Sequence, residues 1–188
     1  MTETTTLRRG VPLWAQIIIW LFLVGLLFIV ALGLSRRQQG TVQPGQVIED
    51  FPLTLYKGYE IDGKNEIKLS DLRGKVVVIN FWASWCKPCE QEAAELQRVW
   101  SEYEPTGEVV FLGIDYVDTE TDARLYLKKF GITFPNGPDL ATRISQYFRI
   151  KGVPETYFID RKGVLQFVQV GPFVNGDQIR AQIDPLLK

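Results

Sequence analysis

Lys75-Val76-Val77-Val78-Ile79-Asn80-Phe81-Trp82-Ala83-Ser84-Trp85-Cys86-Lys87-Pro88-Cys89 is the stretch from which the fold can be read. Its first half is apolar apart from Asn80, as in a central strand covered on both faces. Its second half ends in a Cys-x-x-Cys pair, and a helix-like run from Glu90 to Glu104 follows. Ala93, Leu96, Trp100 and Tyr103 recur at helical steps with Val99 beside them. Glu90, Glu95, Gln97, Arg98 and Glu102 mark the wet face. A strand leading into such a pair and a helix leading out is the setting of a redox centre.

The chain has 188 residues, two cysteines and no histidine. Structural zinc takes four ligands, mostly Cys and His, so a metal site here would need two carboxylates. A Cu(I) site of two thiolates stays open on chemical grounds. A staple across so short a loop removes little chain entropy. Redox chemistry is therefore the reading the residues favour. Cys86 falls at the strand-to-helix junction, where free amide N–H groups and the helix dipole favour an anion. Its thiol pKa is expected below about 8.5. Lys87 adds a positive charge, and Pro88 suits the first helical turn. Cys89, one turn in, is expected to be the more buried. Cys86 is then the attacking thiol and Cys89 the resolving one. Glu92 leans toward the buried side of the helix. It is either an acid at the edge of the stripe or a buried carboxyl that shuttles a proton.

The charge balance, 21 basic against 22 acidic residues, gives no sign of a nucleic-acid partner. Leu13 to Leu34 is almost wholly apolar and long enough, at about 1.5 Å per residue, for a bilayer core. A cleaved signal peptide is the alternative, but the core is long and Arg36-Arg37 stand where cleavage would occur. Arg8 and Arg9 with the α-amino group nearly tie with Arg36 and Arg37, the margin favouring a cytoplasmic N-terminus. The expected order is a tail over 1–12, an anchor over 13–34, a tether over 35–46 and one domain over 47–188. That places a single-pass protein in the cytoplasmic membrane with its Cys domain outside, where disulfides form.

Within the domain, strands are predicted over Phe51–Leu55, Glu66–Leu69, Val76–Trp82, Val109–Ile114, Glu155–Ile159 and Val164–Val170. Helices are predicted over Thr119–Phe130 and Asp139–Phe148, with a last one from Asn175 to Leu187 that Pro185 shortens.

This order, with WCKPC after the central strand, resembles thioredoxin: an α/β fold with a central mixed sheet flanked by helices. Asn80 to Cys89, followed by Glu92, is similar to the membrane-tethered TlpA/ResA/CcmG group, several of which serve cytochrome c maturation. Gly152-Val153-Pro154-Glu155-Thr156-Tyr157-Phe158-Ile159-Asp160 with Gly163 is a second, distant match. The resemblance implies that Pro154 is cis and faces the disulfide, and that the Val153 backbone pairs with a bound substrate strand. It makes Trp85, Lys87 and Pro88 part of the substrate surface. Glu155 is similar to the CcmG branch and becomes a candidate active-site acid, or else a strand-edge residue. The WCKPC motif leans to ResA and TlpA, so the branch stays open.

The resemblance implies a thiol–disulfide oxidoreductase that needs no cofactor beyond the Cys86–Cys89 disulfide. Its expected substrates are protein disulfides such as those of apocytochrome c, and its expected electron source is a membrane thiol-transfer protein. The alternatives are an oxidant or isomerase for exported proteins, a peroxiredoxin and a copper-binding assembly chaperone. Against the second, Ala83 stands where the peroxiredoxin motif has Thr. Against the third, copper carriers of related fold add a histidine.

Overall fold

The computed structural model describes residues 12–37 and 42–188. The polar tail with Arg8 and Arg9, and residues 38–41 of the expected tether, lie outside the described residues. The chain divides into two compact units at Gly40/Thr41. In the first, helix α1 (Leu13–Arg37) is long and apolar enough to cross a membrane, with a mean hydropathy of 2.8 over its best window.

The second unit is an α/β domain. Strands β1 (Pro52–Thr54) and β2 (Glu66–Lys68) pair antiparallel as a small separate ribbon. Then follow β3 (Val76–Trp82), α2 (Lys87–Tyr103), β4 (Val109–Asp115), α3 (Glu120–Lys129), β5 (Asn136–Pro138), α4 (Arg143–Phe148), β6 (Glu155–Ile159), β7 (Leu165–Val170) and α5 (Gly176–Ile183). The main sheet runs β5-β4-β3-β6-β7. Strands β3, β4 and β5 are parallel, while β6 lies antiparallel to β3 and β7 antiparallel to β6.

Every residue of β3 and of β4 is buried, as two-faced cover requires. The period-two alternation of β3 splits the core. Val76, Val78 and Trp82 pack with Leu96, Val99 and Trp100 of α2. Val77, Ile79 and Phe81 pack with Leu53, Phe148 and Tyr157 on the opposite face. There the rings of Phe81, Phe148 and Tyr157 meet edge to face, with centroids 4.8–5.6 Å apart.

Two expectations are corrected. The folded unit starts before Val47: Val42 is buried in the core, and Gly45 N–H donates to the Leu165 carbonyl at 2.7 Å. Helix α4 is shorter than Asp139–Phe148, because the Asp139 carboxylate accepts from the N–H groups of Ile144 and Ser145. It caps the helix instead of opening it. Asn136-Gly137-Pro138, between the two helices predicted over Thr119–Phe130 and Asp139–Phe148, forms an edge strand that no predicted element covers.

Candidate active site

Cys86 is the N-cap of α2 and ends the turn that leaves β3. Its backbone is extended, and Cys86 N–H closes the turn on the Ala83 carbonyl at 3.1 Å. Pro88 sits in the first helical turn, where the missing N–H has no partner to lose. Cys86 and Cys89 are joined by a disulfide with Cα atoms 5.3 Å apart. Cys89 N–H points at Cys86 Sγ, 3.1 Å away. The helix end therefore offers a backbone donor to this sulfur. Both cysteines are buried, Cys86 at 3% exposure and Cys89 at 1%. The expected difference in depth is small. Lys87 Nζ pairs with Glu90 Oε1 at 3.1 Å within the first turn of α2.

Below the pair lies Glu92, 1% exposed. Its Oε1 accepts from Asn80 Nδ2 at 2.8 Å, and its Oε2 accepts from Phe173 N–H at 2.9 Å. The same Asn80 amide donates to Thr156 Oγ1 at 2.9 Å. Burial pushes the Glu92 carboxyl up to about 7, although the Phe173 and Asn80 hydrogen bonds favour its charged form. A carboxyl so placed changes charge near neutral pH. Asn80 stands out in the sequence as the one polar residue of an apolar strand. Thr156 and the Phe173 amide carry no such mark, because β6 and the loop before α5 bring them in from far along the chain.

The loop between β4 and α3 supports the other side. Ser84 N–H donates to Asp118 Oδ2 at 2.6 Å, and Tyr116 N–H donates to the Trp82 carbonyl at 2.8 Å. Val117 has φ 49°, uncommon for a β-branched residue, and its carbonyl accepts from Trp85 Nε1 at 3.3 Å. At the end of β4, burial pushes Asp115 up to about 7; the Tyr56 hydroxyl opposes this and the nearby Asp118 charge adds to it.

The Val153–Pro154 bond is cis. Pro88, Gly152, Val153, Pro154, Val170 and Pro172 line a shallow groove of about 240 Å³ at the N-terminus of α2. Trp85 stands 58% exposed close by in the chain, a large apolar side chain left open to a partner. Glu155 is fully buried rather than at a surface edge. Its Oε1 accepts from Lys151 N–H and its Oε2 from the Tyr157 hydroxyl, both at 2.6 Å. A larger cleft of about 380 Å³ lies by Phe51, Leu140 and Tyr147 and includes neither cysteine.

A family model described as the AhpC/TSA family matches residues 44–168. Thioredoxin-like protein YneN of Bacillus subtilis (strain 168) is 32% identical over 160 residues, spanning 80% of this chain and 89% of that protein. Thiol-disulfide oxidoreductase ResA of Geobacillus kaustophilus is 31% identical over 140 residues, spanning 74% and 76%. The crystal structure of a putative thiol:disulfide interchange protein DsbE from Chlorobium tepidum matches with a TM-score of 0.69 at 26% identity, covering 79% of this chain and all (100%) of that one.

Proposed function

The chain belongs to the AhpC/TSA family and is a thioredoxin-like thiol–disulfide oxidoreductase of the ResA/DsbE type; from that premise we propose that it is a membrane-tethered reductant of exported proteins. Its substrates are protein disulfides, those of apocytochrome c among them. Helix α1 is its anchor, with the N-terminus cytoplasmic and the Cys domain outside. The observation that carries the reading is the Cys86–Cys89 pair at the head of α2, with the Cys89 N–H on Cys86 Sγ and the buried Glu92 one turn on.

The reduced pair drives the reaction, with no bound cofactor. Cys86 attacks as the thiolate, and its sulfur bonds to one substrate sulfur while the substrate disulfide breaks. The leaving sulfur departs as a thiolate and takes up the proton Cys86 gave up. Cys89 then loses its proton to the Glu92 carboxylate and attacks Cys86 Sγ. The mixed disulfide breaks, the second substrate sulfur leaves, and Glu92 returns a proton to the departing thiolate. Two electrons and two protons pass to the substrate, and the chain is left with its disulfide closed. A membrane protein with a dithiol reopens it by two successive exchanges and is left with its own disulfide. Pro88, Trp85 and the Val153–Pro154 segment form the surface on which the substrate strand lies.

Trapping tests this. Cys89→Ser in cells should accumulate a mixed disulfide between Cys86 and an exported protein, and Cys86→Ser should abolish both trapping and activity. If no partner is trapped, protein disulfides are not the substrate. The direction of flow is read from the reduction potential. A value more negative than roughly −200 mV fits a reductant, whereas one near −120 mV would make the chain a disulfide donor.

A further inference from the structure

Glu155 begins β6 directly after the cis proline, opposite Phe81 on one side and Val170 on the other. It is 1% exposed, so its carboxylate needs partners inside the protein. It has one on each oxygen. The Tyr157 hydroxyl holds Oε2, and Tyr157 is itself fully buried and packed against the Phe81 and Phe148 rings. That leaves Oε1 fixed and aimed at Lys151 N–H. Neither oxygen has a hydrogen-bond partner at the disulfide.

Lys151 opens the segment that carries Val153 to the groove. The far end is also held, since the Pro154 carbonyl accepts from Gly171 N–H at 3.0 Å. Between the two fixed points lie Gly152 and Val153. Among the described residues, no group hydrogen-bonds to their backbone N–H or C=O. Free main-chain donors and acceptors beside a groove are what an incoming strand pairs with.

We infer that Glu155 is a positioning residue, whose buried carboxylate fixes the Lys151–Val153 backbone for pairing with an extended substrate strand. The inference rests on the protein-disulfide reading above, and it assigns the proton-carrying role to Glu92 alone. A carboxylate is suited to the task because a hydrogen bond to a charged acceptor is stronger than one to a neutral group.

The experiment compares wild type, Glu155→Ala and Glu155→Gln in the full chain with two substrates. One is a disulfide-bonded peptide, long enough to pair with Gly152 and Val153. The other is a small aromatic disulfide that cannot reach them. Glu155→Ala should raise KM for the peptide about tenfold, the loss expected for one charge-assisted hydrogen bond, and leave the small disulfide within about twofold. Glu155→Gln keeps an acceptor for Lys151 N–H and should bring the peptide KM back to within about threefold of wild type. The pH profile of kcat should be the same in all three. Amide exchange at Lys151 should quicken in the Ala variant and stay slow in the Gln variant, a readout that survives partial loss of fold. Equal loss of kcat in both variants on both substrates, with an ionisation gone from the pH profile, would make Glu155 a proton carrier and overturn the inference. Failure of wild type itself on the peptide would overturn the protein-disulfide reading, and the inference with it.

Discussion

Glu92 shows how one side chain couples folding to chemistry. A carboxyl 1% exposed is opposed by desolvation and favoured by two donors, Asn80 Nδ2 and Phe173 N–H. Desolvation wins, and the group sits at about 7 instead of 4.5. Between those two values the folded chain holds a proton that the unfolded chain has released. Stability therefore falls as pH rises through this window, by roughly 3 kcal/mol for a shift of this size. Asp115, also raised to about 7, contributes a slope of the same sign. Glu92→Gln should leave only the Asp115 share. Guanidinium unfolding at pH 5 and pH 8 should show the wild type losing more stability between them than the variant. Equal losses would mean that Glu92 is charged throughout. On the proposed mechanism the same variant should slow the attack by Cys89 and let the mixed disulfide accumulate, because Glu92 is there the proton's acceptor.

Elements differ in how far their own residues specify them. Strand β3 and helix α2 do so fully: the apolar run, the Cys N-cap, the proline in the first turn and the helical stripe agree with the fold they form. Strand β5 is the opposite case. Asn136-Gly137-Pro138 carries turn residues, and it becomes a strand through what it packs against. A Cβ on Gly137 would lie 2.1 Å from the Thr54 carbonyl oxygen, so only glycine admits β1 so close. Its neighbour Asn136 accepts from Trp82 Nε1 at 2.8 Å, and a Cβ on Gly113 would lie 1.7 Å from Asn136 Oδ1. Gly113 is thus the gap in β4 through which the active-site strand and the edge strand are joined. Gly113→Ala should break that hydrogen bond and push Asn136 aside, at about 2–3 kcal/mol by thermal or denaturant unfolding. A change below about 0.5 kcal/mol would mean that the gap is not needed. The same division runs through the site. The Cys pair, its helix and the glutamates are visible as types at spacings. The Asn80–Thr156 bond and the Phe173 amide are tertiary, made by β6 and the loop before α5, and no local pattern announces them.

At the scale of the whole molecule, the question is where the folded domain begins. A polar stretch with Gln, Gly and Pro reads as tether up to Gln46, because it has no apolar period. Val42 alone would carry the signal, and one valine is not a pattern. In three dimensions the stretch is tied down. Val42 is 6% exposed, Gly45 N–H donates to the Leu165 carbonyl, Leu165 N–H donates to the Gln46 carbonyl, and Ile48 N–H donates to the Gly163 carbonyl. These residues extend the edge beside β7, on a face whose core includes Ile48 and Leu165. A soluble domain that starts at Ile48 loses the valine and the first two of these bonds. By burial of one Val side chain and about 1 kcal/mol per bond it should be less stable by about 3–5 kcal/mol than a domain starting at Thr41. The Cys86–Cys89 pair is built from β3, α2 and the loops around them, not from this edge. The two domains should therefore share one reduction potential while differing in unfolding midpoint. A shift in potential on trimming would show that the segment reaches the active site. An unchanged midpoint would show that it is tether after all.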